Sequence, residues 1–554
     1  MAASRPTRRD LAAARGQPSQ QMTQGQVIPA PMKGIVANTP LSEMSMDSSV
    51  ATVNMLSDAY GLRVRQGYRE WCPPIDDGFD TGIRTIIPAN TNEVAGTIDH
   101  LFAVTQDGIY EIESGLAPVK RVDWPAKGEE AGWCSWHNFT NISNFQYVLI
   151  CDLQNGYWVY DFVNDTFSQI ITGTAPGTIN GSDPTNFVFV TVWKNRVWFV
   201  QRDSTRAWYL ETVGIFTGKV VAFDFGAKMK YGGYLKGMYS WTLDAGMGVD
   251  DHLVAISSQG DLVIYTGTDP TSASSFQMRG VWFLGESPRG RRGVSDYGGD
   301  LLVASQFGII PLSRLVQGID PGVDVQEYVT ARVNPLYSQR YEERRNLFGF
   351  EIRSLPEQNA IIVVWPKTEN TAPVQLVYHI PTRSWSVYVG VPALTMEHYQ
   401  SKTFFGTLEN QIFIMENGAD NRTIDDPTTA TEVRFALLTA FSYYGAPARY
   451  KRVQFLRPIF VADSVPTYSI AARYDYDISD PLAVPPPGVD QDSAVWDNSL
   501  WDQAVWSGGY QLDQPVRGGA GMGRSVAVLL SGTTSSDSVT LAGIEIMMDG
   551  GGLL

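Results

Sequence analysis

Cysteine is almost absent. The 554 residues hold only Cys72, Cys134 and Cys151, an odd number with no short pair spacing. That excludes a disulfide framework and gives no cysteine-based zinc site. It fits synthesis in a reducing compartment. No run of 18 apolar residues occurs and the N-terminus has no apolar signal core, so neither a spanning helix nor secretion is expected. Charge is scarce too, at 18% of residues. Long surface helices rich in Glu and Lys are therefore not expected. Positive charge is the scarcer sign: 42 Lys and Arg stand against 58 Asp and Glu, a net of −16. A general nucleic-acid binder would need the opposite balance to displace counterions from phosphates.

Groups suited to chemistry are thin on the ground. The five histidines, His100, His137, His252, His379 and His398, fall at no zinc or catalytic spacing. Asp475, Asp477 and Asp480 alternate as calcium ligands on a strand end could, but no Gly-turned loop with a closing Glu follows. The glycine-rich stretch 518–524 precedes a strand-like Ser-Val-Ala-Val-Leu-Leu, not the helix N-terminus that would hold a phosphate. Carboxylate pairs such as Asp76-Asp77, Glu129-Glu130, Asp250-Asp251 and Asp425-Asp426 sit in turn-like contexts. We therefore expect no catalytic, cofactor-binding or metal-binding residue, and a protein that is not an enzyme.

What is abundant points to short strands. Aromatics reach 12%, with 52 Gly and 31 Pro to make turns. One pattern repeats: two apolar strands around a tight turn, as in 101–112, 147–160, 187–200, 253–265 and 301–312. Looser copies lie near Thr382-Arg383 and Asn410-Gln411. Asp-Gly and Asn-Gly supply the positive φ that hairpin turns need. Strands apolar on both faces belong inside a stack of sheets. The turns lie at 108, 156, 195, 260, 308, about 382 and 410, a loose version of a propeller period. Five to seven such hairpins predict an all-β fold with an irregular β-propeller over 90–429; a stack of β-sandwiches is the alternative. A short surface helix is expected near 336–348.

The ends read differently. Residues 1–31 are rich in Gln, Ala, Pro and Arg and are expected to be a disordered basic extension. Arg5, Arg8, Arg9 and Arg15, with Lys33 and against Asp10, put a net +4 on residues 1–33 against −20 on the rest. They are interface candidates for an acidic partner, or simply a solvated tail. Residues 32–89 are expected to be an extended segment packing on the body or on neighbours. Residues 430–554 form an expected C-terminal β-sandwich-like domain with a stiff Pro-rich stretch at 481–488. Its Trp496, Trp501 and Trp506 recur every five residues, which fits neither helix nor strand. They are read as indoles of an irregular loop, seated in pockets or at a subunit interface.

Two regions carry a family likeness. One runs through Ala30-Pro-Met-Lys-Gly-Ile-Val-Ala-Asn-Thr-Pro-Leu-Ser42, Val53-Asn-Met-Leu56 and Tyr60-Gly-Leu-Arg-Val-Arg-Gln-Gly-Tyr-Arg-Glu-Trp71. The other has Tyr450-Lys-Arg-Val-Gln-Phe-Leu-Arg-Pro-Ile-Phe460, the Trp-Asp repeat and Gly543-Ile-Glu-Ile-Met-Met-Asp-Gly-Gly-Gly552. Together they resemble the tail nozzle proteins (tail tubular protein B type) of short-tailed bacteriophages. The resemblance implies a virion tail protein assembled in the host cytoplasm. It implies a homo-hexamer below the head-tail adaptor, contacting tail fibre or tail spike proteins, with genomic DNA passing through without specific binding. No cofactor is implied. Six copies would carry roughly −96, and an acidic lumen would repel DNA phosphates. Two other readings stay open: a glycan-binding or glycan-cleaving propeller of the depolymerase kind, and a head-tail stopper at the same vertex.

Overall fold

The computed structural model describes residues 23–553, apart from 80, 92–96, 245–248, 273, 321, 367–373, 425, 480–510, 514–516 and 519–520. The hairpins seen in the sequence are parts of seven blades, which begin at residues 85, 134, 187, 235, 294, 351 and 395. Blade 2 is typical. Cys134–Thr140, Gln146–Asp152, Gly156–Asp161 and Thr166–Gln169 pair antiparallel in chain order, with Leu149 opposite Val159. Its central strands are apolar on both faces because each face packs on a neighbouring blade. Blade 5 has only three described strands, Val294–Tyr297, Asp300–Ser305 and Gly308–Pro311.

Seven apolar cores, one between each pair of neighbouring blades, close the ring. Blades 1 and 2 meet through Phe102, Trp124, Ile150 and Tyr160. Blades 7 and 1 meet through Ile86, Leu101, Phe404 and Ile414. The other five interfaces are built in the same way. Closure comes from early in the chain. Gly67–Cys72 pairs antiparallel with Ile412–Glu416 and becomes the outer strand of blade 7. Blade starts are 44 to 59 residues apart, more regular than the sequence turns suggested. The turn at Asn195 joins the first two strands of blade 3, and the one at Arg383 the last two of blade 6. Most of the others join strands two and three, so the visible turns sample different hairpins of one unit.

The rest of the chain is a sandwich made from both ends. One sheet contains Thr23–Pro29, Met55–Ser57, Leu62–Val64, Arg449–Ala462 and Val539–Leu553. The facing sheet contains Ser49–Val53, Val433–Thr439, Val526–Thr534 and Thr467–Tyr474. Arg449–Ala462 alternates buried and accessible positions, placing Val453, Leu456, Phe460 and Ala462 in the core. The second sheet does not stop at the sandwich. Ser49–Val53 lies beside Ser384–Val389, so blade 6 and the sandwich share eight strands.

Four expectations are corrected. Residues 23–31 are not an unstructured tail: Thr23–Pro29 pairs along Val539–Leu553, because Ile28 and Ala30 bury against the sandwich core. The 430–554 region is not a separate domain, since 32–89 supplies strands to it and to blade 7. The first blade starts at Thr85, not 90. The helix, Asn334–Arg344, is not merely superficial. Tyr337 and Tyr341 are fully buried and donate to the Ser305 and Glu286 carbonyls at 2.9 Å each. Its dense charges disguise two aromatic anchors one turn apart. Among the described residues no helix is long and apolar enough to cross a membrane.

Candidate functional site

First strands of the blades face the axis, and their side chains decide what the axis can do. One end is sealed around Arg292, just before blade 5. Its guanidinium donates to the Arg84 carbonyl (2.7 Å), Thr395 Oγ1 (3.2 Å), the Cys134 carbonyl (3.2 Å) and Thr85 Oγ1. It thereby ties blade 5 to blades 1, 2 and 7. Burial disfavours its charge, and Glu351 of blade 6, fully buried at 3.9 Å, offsets that. Glu351 also binds Arg353, and Arg353 reaches Glu397 at 3.1 Å. The string Arg292–Glu351–Arg353–Glu397 holds two charges of each sign, so the buried cations are matched. Trp133 completes the seal, with Arg292 5.3 Å and Arg84 5.9 Å from its ring and Phe348 stacked on it at 5.7 Å.

Beyond the seal lies an axial cavity of about 470 Å³. Trp136, His137 and Asn138 of blade 2, Tyr239 of blade 4, Asp296 of blade 5 and Arg353 of blade 6 line it. His137 Nδ1 lies 2.7 Å from the Asn138 carbonyl, and burial lowers its pKa. Asp296 reaches solvent within the channel, yet loss of hydration there raises its pKa. Asn138 Oδ1 is buried without a partner. A cavity with aromatic walls and a few polar groups is the usual form of a small-molecule site. A smaller cavity of about 110 Å³ adjoins it and shares Arg291 and Phe348.

Of the histidines and carboxylates singled out from sequence, only His137 is among the described residues lining the axial cavity. Trp496, Trp501, Trp506, Arg5, Arg8, Arg9 and Arg15 all lie outside the described residues. The other four histidines do not converge on the cavity. His100 meets Glu111 at 2.5 Å, His252 faces Arg279, His379 bonds Thr382 and His398 lies 3.6 Å from Glu357. Asp475 accepts from the Arg524 and Ser525 amides, while Asp477 pairs with Arg473 and caps Ser479. Both shape turns. Among the described residues no three His, Cys, Asp or Glu gather as metal ligands. The axial residues escaped notice because they come one or two per blade, some 50 residues apart, with no local motif.

No family model matches the chain, and no curated protein does. Among solved structures, a computationally designed protein, Ika8, aligns at 10% identity and a TM-score of 0.34, covering 68% of this chain and 98% of its own. The extracellular domain of a hybrid two component system from B. thetaiotaomicron aligns at 10% identity and a TM-score of 0.39, over 75% and 54%. Both superpositions are weak, and the propeller assignment rests on sheet topology.

Proposed function

We propose that this chain is a structural protomer of a short phage tail: one of six copies in a nozzle that encloses the DNA exit path below the head-tail adaptor. The observation that supports it is where the two nozzle-like sequence regions meet. Ser49–Val53, Met55–Ser57 and Leu62–Val64 from the first region and Arg449–Ala462 and Val539–Leu553 from the second, remote in sequence, share one sandwich, and that sandwich shares a sheet with a closed propeller. A rigid wall segment needs this kind of welding and no reactive residue. The conduit on this reading lies between protomers. A single propeller's axis holds about 470 Å³ behind a sealed end, far too little for a duplex whose grooves alone are about 6 and 12 Å wide. Electron microscopy of the purified protein and of particles tests the reading: sixfold rings at the distal tail are expected. Monomers or trimers, or a position at the head vertex as for a stopper, would overturn it.

The axial cavity favours a second reading, a glycan-binding or glycan-cleaving propeller. Trp136 beside Asp296 and His137 could stack and hold a sugar. Release of reducing ends from host surface polysaccharide, lost in Asp296→Asn, would establish it in place of the nozzle.

A further inference from the structure

We propose that the smaller cavity beside the axis binds a small phosphate-class oxyanion. Four cations line it: Arg202 after the second strand of blade 3, Lys236 at the start of blade 4, and Arg289 and Arg291 ahead of blade 5. Only two carboxylates, Glu130 and Asp203, share the wall. Among the described residues no carboxylate stands within 4.0 Å of any of the four cationic groups, although the chain as a whole is strongly acidic.

Their partners are neutral oxygens. Arg202 donates to the Leu153 carbonyl, and Lys236 to Ser287 Oγ at 3.0 Å and to the Pro288 carbonyl. Arg289 donates to the Asn346 carbonyl at 3.2 Å, and Arg291 to the carbonyls of Leu235 (3.1 Å) and Lys236. Arg202 Nε is buried with no partner at all. Carbonyl dipoles satisfy hydrogen bonds but do not cancel charge, and gathering cations out of water without counterions is costly. Arg292, one residue further on, has Glu351 at 3.9 Å for this purpose; for Arg291 the carboxylates of Asp203 and Glu130 act only from beyond ion-pair distance.

Lys236 registers the imbalance. Burial first, and the Arg291 charge second, push its pKa down to about 7, against a smaller opposing pull from Glu286. A bound anion would reverse that. Guanidinium groups and an ammonium suit an oxyanion that accepts several hydrogen bonds at once. The space is of the right order: a water needs roughly 10–15 Å³ by this measure, so about 110 Å³ admits a phosphate group with attached waters. Arg289 is exposed and lies 4.1 Å from the Phe348 ring, which leaves the site an outer wall reachable from solvent.

Thermal melts and titration calorimetry on the full chain test this, with inorganic phosphate against sodium chloride of equal ionic strength. Saturable stabilisation by phosphate alone is expected. Arg289→Gln, at an exposed position, should weaken binding about tenfold, the scale of one lost charged hydrogen bond. Arg291→Gln should weaken it further; if that variant does not fold, Arg289→Gln and Lys236→Met decide. Glycerol 2-phosphate as competitor separates the sources: displacement means that the site takes phosphate esters, and its failure means free phosphate. A response equal to that of chloride, or unchanged in Arg289→Gln, would overturn the proposal.

Discussion

Two buried carboxylates show how single residues hold the ring and its junction. Asp107, in a blade 1 turn, accepts from Lys120 and Lys127 at 2.5 Å each and from Tyr110 at 2.6 Å. Burial alone would raise its pKa, but these donors outweigh it and hold the carboxyl at about 2. The folded value lies below the ordinary 3.8, so the stabilisation is complete above about pH 4 and is lost as pH falls towards 2. It amounts to about 2 kcal/mol. Acid titration of urea midpoints should show that loss in the native protein, and Asp107→Asn should flatten it. Asp420 accepts two hydrogen bonds from Arg65, at 2.7 and 2.6 Å, with both side chains nearly inaccessible. Arg65 also bonds Asn54, whose side chain reaches Val389 of blade 6 and Arg434 of the sandwich. Breaking this pair with Arg65→Met should cost about 3–5 kcal/mol. Arg65→Met with Asp420→Leu should recover most of that in chemical denaturation, because the lone buried charge is gone.

Strands borrowed from the start of the chain set the behaviour of the larger elements. Gly67–Cys72 closes blade 7, anchored by Tyr68 packed edge-on against Phe405 and Phe413 at 5.2 and 5.0 Å. Tyr68→Ala should cost about 3–5 kcal/mol and expose the blade 6 to blade 7 seam, whose core it joins, to protease. If cleavage patterns stay unchanged, closure does not depend on this strand. Thr23–Pro29 covers the edge of Val539–Leu553. Removing residues 1–22 should leave the melting temperature unchanged, whereas removing 1–31 should lower it by several degrees and expose an unpaired edge that promotes aggregation. Blade strands were legible because Asp-Gly, Asn-Gly and two-faced apolar runs are local signals. The borrowed strands were not, because their partners lie more than 300 residues away.

At the scale of the molecule, the shared eight-stranded sheet joins the two bodies through backbone hydrogen bonds and not through a flexible linker. Calorimetry should therefore record one cooperative transition for propeller and sandwich together. Two well-separated transitions would show that the Ser49–Val53 connection is weak. The same rigidity suits the proposed tail role, in which force and DNA pass a wall that must not deform.

Composition and turn chemistry by themselves determined that this protein is all-β and built of repeated hairpins, since period-two patterning and glycine or asparagine at positive φ act over a few residues. They could not decide the number of blades, the closure, or the union of both chain ends in one sandwich. Those depend on which apolar faces find each other once the chain has collapsed. The axis is the clearest case. Arg292, Glu351 and Asp296 are ordinary residues in sequence, and only the ring, by bringing seven inner strands around one line, turns them into a seal and a cavity.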